Sequence, residues 1–105
     1  MENVDVTKNL YGERIKKTPP FAKDIFIILS DDVSVETMKS FNKGKDWMEP
    51  MIKEVVLDWN LTEGDKKLPI SLKGLDMIKS IKLRNWIIRT INETVIESLT
   101  LLKKK

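Results

Sequence analysis

Ile25-Phe26-Ile27-Ile28-Leu29 is the stretch on which the fold class turns. It is apolar throughout, rich in β-branched isoleucine, and closed off by Asp24 on one side and Ser30-Asp31-Asp32 on the other. So short a run between turn-forming residues reads as a buried strand rather than a helix. A pair of strands alone is marginal in water, so this one needs both a partner and a cover. The stretch before Pro19 is the nearest partner, which predicts an N-terminal β-hairpin or small sheet. Thr18-Pro19-Pro20 cannot continue a helix, because proline lacks the N–H and pushes the preceding residue out of the α region. Residues 1–23 therefore read as extended or irregular, and they carry Arg14, Lys16, Lys17 and Lys23. They form either a flexible, solvated basic arm or a segment that docks on a partner.

Downstream of the run the pattern turns helical. Ser34 is placed to cap a helix beginning at Val35, with Val35, Met38 and Phe41 on one face and Asn42-Lys43-Gly44 as its stop. A second helix is predicted from near Asp46 to about Trp59. There Trp47, Met51, Val55 and Trp59 recur every fourth residue, beside Ile52 and Val56, and Pro50 falls in the tolerant first turn. Asn60 to Lys67 reads as a polar turn, and Leu68-Pro69-Ile70 as an extended exit from it. Ser71 caps a further helix with Leu72, Leu75 and Ile78 as its stripe, broken at Ser80 or Lys82. The last helix is predicted from about Lys82 to Leu102. Its apolar side is Leu83, Trp86, Ile87, Ile91, Val95, Leu99 and Leu102, and Lys103, Lys104 and Lys105 sit at its negative end. The expected fold is α+β but mainly α: three or four helices with a small N-terminal β-hairpin or sheet, in a single domain over residues 1–105.

Composition removes several kinds of chemistry. The chain has 105 residues, no cysteine and no histidine, so disulfides, thiolate catalysis, imidazole acid–base chemistry and the usual zinc ligand sets are excluded. Asp31-Asp32 and Asp58 are the best-placed carboxylates, yet neighbours in sequence do not converge on one point. The glycines form no phosphate-binding pattern. The expectation is a protein that is not an enzyme and takes no cofactor or metal. The polar start, Met1-Glu2-Asn3-Val4-Asp5, and the lack of any long apolar window predict a cytoplasmic protein with no membrane span.

Two kinds of partner remain. The net charge is +3 and only Arg14, Arg84 and Arg89 are arginine, a thin signal for nucleic acid, which arginine reads with its bidentate fork. Residues 71–90 can be drawn as a helix-turn-helix that presents Lys82, Arg84, Asn85 and Arg89. Trp86, Ile87 and Ile88 lie among them and call for burial, so nucleic acid is not the expected partner. The final helix also has more apolar positions than one stripe needs, since Ile88 and Ile96 widen the face of Ile87, Ile91 and Val95. That surplus marks either the centre of the protein's own core or a surface for another copy or another protein.

One stretch resembles a family. Val56-Leu57-Asp58-Trp59-Asn60-Leu61-Thr62, then a polar turn and Leu68-Pro69-Ile70-Ser71 with Leu72 and Leu75 beyond, is similar to the tail assembly chaperones of long-tailed bacteriophages and prophages. The resemblance covers residues 55–78. It implies a non-enzymatic helper in the host cytoplasm that coats the tape-measure protein during tail assembly, with a helical client or tail proteins as partners and a homo-oligomeric state. On that reading Trp86, Ile87, Ile91 and Val95 serve self-association or client contact, and Trp59, Leu68 and Pro69 fix the turn between the two helical halves. The alternatives are a small nucleic-acid-binding regulator and a phage-encoded inhibitor of a host protein.

Overall fold

A computed structural model describes residues 3–7, 10–41 and 48–103. In chain order they form β1 (Arg14–Lys17), β2 (Ile27–Ser30), α1 (Val35–Phe41), α2 (Met48–Val55), β3 (Val56–Trp59), β4 (Thr62–Glu63), β5 (Lys66–Lys67), α3 (Leu72–Asp76) and α4 (Ile81–Lys103). The apolar run supplies the central strand of a three-stranded antiparallel sheet ordered β1-β2-β3. Centrality is what its composition requires, since a strand covered on both edges can be apolar without offering an open ladder. On β1, Ile15 pairs with Leu29 and Lys17 with Ile27. On β3, Trp59 pairs with Ile27, Asp58 with Ile28 and Val56 with Leu29, and the register slips between Ile28 and Leu29. The slip leaves Leu57 outside the pairing, as in a β-bulge. It lets Val56 and Trp59, an odd number of residues apart, both reach the core.

Ile27, Leu29, Val56 and Trp59 form the buried face of the sheet, and α2 and α4 close over it with Met51, Ile52 and Val55 and with Ile87, Ile91 and Val95. The four-residue step of the α4 set is the helical repeat that keeps one stripe on the core. Each such aliphatic side chain contributes about 1.5–3 kcal/mol when fully buried. The outer face of the sheet is mixed: Lys16 lies over the Phe26 ring at 4.9 Å, and Asp58 pairs with Lys67.

Helices α1 and α3 are only seven and five residues long, too short to stand without caps and packing. Both are capped twice. The Ser34 hydroxyl accepts the Thr37 N–H at 3.1 Å and the Ser71 hydroxyl accepts the Gly74 N–H at 3.4 Å. Helix α2 then offers a carboxylate to each. Glu54 accepts from the Ser34 N–H and lies 3.0 Å from the hydroxyls of Ser34 and Thr37. Glu49 accepts from the Leu72 N–H at 2.6 Å. A carboxylate at a helix N-terminus meets both the orphan donors and the positive end of the dipole.

The expectation of a mainly helical chain with β-structure confined to the N-terminus is corrected. This is a small α+β domain with a three-stranded and a two-stranded sheet and four helices among the described residues. The second predicted helix stops at Val55, and Val56–Trp59 turns into a strand on the open edge of β2. The ladder that edge offers outweighs four more helical residues. The expected polar turn holds a hairpin, β4 and β5, closed by Gly64-Asp65. Gly64 has φ of 62°, as the first central position of a type II′ turn requires. The stretch before Pro19 does supply the expected partner strand, β1 (Arg14–Lys17), so this part of the basic segment is paired. The helix stop at Asn42-Lys43-Gly44, the helix start at Asp46, Trp47, Lys104 and Lys105 lie outside the described residues, as do the side chains of Leu99 and Leu102.

Candidate protein-binding surface

Trp59, Leu68 and Pro69 come together in the structure. The Trp59 indole is fully buried, and its Nε1–H donates to the Leu68 carbonyl at 3.0 Å. The Leu68 N–H donates in turn to the Leu61 carbonyl at 2.9 Å, so the hairpin is pinned at its base. Helix α3 lies directly against this reversal. A Cβ added at Gly74 would stand 1.9 Å from the Pro69 carbonyl oxygen and 3.2 Å from Cζ2 of Trp59. Only the absence of a side chain admits that approach, which fixes the angle between the hairpin and α3. Asn60 fastens the other side: its Oδ1 accepts the Phe26 N–H at 2.9 Å and its Nδ2 donates to the Asp24 carbonyl at 2.7 Å.

These fastenings hold open a groove of about 480 Å³ between the hairpin and the α3–α4 junction. Ile25, Leu61, Leu68, Met77, Ile78 and Leu83 give it an apolar lining, and Asn60, Thr62, Glu63, Lys79 and Ser80 complete it with polar groups. Met77 is 38% exposed, and Ile81, at the start of α4, is 66% exposed. Apolar lining beside polar groups is the anatomy of a protein-binding patch. The stripe Leu72, Leu75, Ile78 did not contain Met77 or Ile81. Their position off that stripe, next to the break at Ser80, was the available signal that they face outward.

The residues expected to meet a client lie elsewhere. Ile87, Ile91 and Val95 are 0%, 2% and 1% exposed. They pack the domain's own core and present no surface on the folded chain. Trp86 is half-buried and lines a second groove, of about 360 Å³, between β1 and α4. The groups that a helix-turn-helix would present are partly engaged: Lys82 lies over the Phe21 ring at 4.6 Å, and Arg84 pairs with Asp76 at 3.3 Å.

The candidate carboxylates are engaged in hydrogen bonds within the fold. Asp31 accepts the Glu13 N–H at 2.8 Å and Asp32 accepts the Tyr11 N–H at 2.7 Å, which ties the N-terminal segment to the end of β2. Asp58 is held below the ordinary carboxylate range, chiefly by its hydrogen bond from the Lys67 ammonium. Because the folded-state value is depressed, its contribution is present above the unfolded-state value and lost as pH falls through the folded one. Lys67→Ala is expected to move the Asp58 titration back up toward that of an unpaired aspartate. A carbon-detected NMR titration of the Asp58 carboxyl reads this directly, and an unchanged midpoint would refute the pairing. Among the described residues no helix is long and apolar enough to cross a membrane.

Comparisons with family models, with curated proteins and with solved structures return no match.

Proposed function

We propose that this chain is a non-enzymatic protein-binding helper of the tail-assembly-chaperone kind, which keeps a helical client soluble in the cytoplasm before assembly. The observation that supports the reading is the apolar groove lined by Leu61, Leu68, Met77 and Leu83, pinned in shape by the Trp59–Leu68 hydrogen bond. An amphipathic helix has the right chemistry for it: apolar residues one turn apart meet Leu61, Leu68 and Leu83, while polar flanks meet Glu63 and Lys79. The sequence resemblance over residues 55–78 covers much of the same wall. The segment that carries the family likeness and the segment that builds the groove are thus largely one.

The reading names a partner, a tape-measure protein, and expects its gene to lie near this chain's own. Co-expression is expected to bring both into one soluble complex. Met77→Glu, which puts a charge on the exposed part of the groove's apolar lining, should abolish co-purification while leaving the far-ultraviolet circular dichroism intact. A gene neighbourhood without tail-tube and tape-measure genes, or a complex indifferent to that substitution, would sink it.

A further inference from the structure

β1 is an edge strand. It pairs with β2 on one side, and no further strand flanks it among the described residues. The phase of its ladder follows from one bond next to it: the Asp31 N–H donates to the Glu13 carbonyl at 3.3 Å. In an antiparallel pair, bonded and non-bonded residues alternate. Ile15 and Lys17 therefore point their N–H and C=O groups at β2, and Arg14 and Lys16 point theirs outward. Beside this open edge runs the second groove, whose strand-side wall is Ile15 and Lys17 and whose helix-side wall includes Trp86, Thr90 and Thr94. The two threonine hydroxyls donate back to the carbonyls of Trp86 and Thr90, at 2.7 and 2.9 Å, so those donors are already used. A strand edge with unspent backbone groups beside a helix-walled groove is the geometry in which an extended peptide adds to a sheet.

Charge selects the occupant. Three of the four β1 residues are basic, and Arg14, Lys16 and Lys17 are all exposed. A second copy of this chain pairing edge to edge would set these cations against one another, which like-charge cross-strand pairs penalise. A strand bearing carboxylates opposite Arg14 and Lys16 meets the opposite sign. Its alternate residues turn toward the groove, where Ile15 and Trp86 are apolar and the cations Lys17 and Arg89 stand against the carboxylates Glu93 and Glu97, so no charge of one sign prevails. We infer that the outer edge of β1 takes an extended segment of another protein as a fourth strand, with acidic residues alternating with apolar ones. This goes beyond the helical client proposed above: the surface is different and so is the conformation of the partner.

The test uses the full chain and a synthetic peptide alternating glutamate with valine, with a lysine–valine peptide as the opposite-charge probe. The expected result is saturable binding of the acidic peptide by fluorescence anisotropy, with slowed amide exchange at Arg14 and Lys16. Reversing both charges, Arg14→Glu with Lys16→Glu, should weaken the acidic peptide about tenfold and transfer the preference to the basic one, given the worth of cross-strand charge pairs. The reversed preference keeps the variant informative, since a misfolded chain would bind neither. Met77→Glu, which places a charge in the helical-client groove, should leave this binding unchanged, so the two readings can fail separately. Binding without added protection at Arg14 and Lys16, equal binding of both peptides, or self-association through β1 would each overturn the inference.

Discussion

Trp59→Ala is expected to lower the unfolding free energy by about 3–5 kcal/mol, the usual cost of truncating a large core aromatic. Trp59 is the largest of the fully buried side chains. It ends β3, opposes Ile27 across the sheet, and lies under Gly74. Small domains are stable by about 5–15 kcal/mol in all, so this one substitution removes a large share. Trp59→Phe separates packing from hydrogen bonding. It keeps most of the ring but leaves the Leu68 carbonyl without its donor, which should cost about 1–3 kcal/mol. Urea denaturation followed by far-ultraviolet circular dichroism measures both. A phenylalanine variant as stable as the parent would mean that the indole N–H does not hold the hairpin in place.

The second large effect is expected at Glu54. Its carboxylate accepts the Ser34 N–H and stands beside two hydroxyls at the start of α1. Glu54→Ala strands a partly buried donor and removes one of the two caps of a seven-residue helix, at an expected cost of about 1–3 kcal/mol. Glu49→Ala is the matched comparison, because Glu49 likewise caps a neighbouring helix through one N–H, that of Leu72. Its carboxylate also pairs with Lys53 in an exposed i,i+4 contact at 3.3 Å, of a kind worth only a few tenths of a kcal/mol. Loss at Glu49 should therefore be the smaller of the two in the same denaturation experiment. Equal losses would show that the two hydroxyls add nothing to the Glu54 cap.

Local chemistry was legible in the sequence and long-range pairing was not. Ser34 and Ser71 announce the starts of α1 and α3, because a cap is a contact between residues three apart. The final helix was bounded to within a residue of Ile81–Lys103 by its apolar spacing and the lysines at its end. Val56–Trp59 reads as helix from sequence, since Trp59 continues the fourfold spacing of Met51 and Val55, yet it is a strand. Only the edge of β2, far off in sequence, tells the chain to extend. The same blindness affected the site. Apolar surplus on the last helix was visible, but periodicity cannot say whether a stripe faces the protein's own sheet or another molecule. Here the sheet has three strands rather than two, so the core is wide enough to take in Ile87, Ile91 and Val95.

The order of elements along the chain also sets a kinetic hazard. The β1–β2 ladder joins neighbours in sequence and can zip early, whereas β3 reaches β2 only after α1 and α2 have been made and folded back. Closing so long a loop is slow compared with a local hairpin. During synthesis the greasiest strand of the protein therefore leaves the ribosome with one flank bare, and nascent chains can stick to one another there. Cooler growth should raise the yield of soluble material, because apolar association between bare strands weakens on cooling.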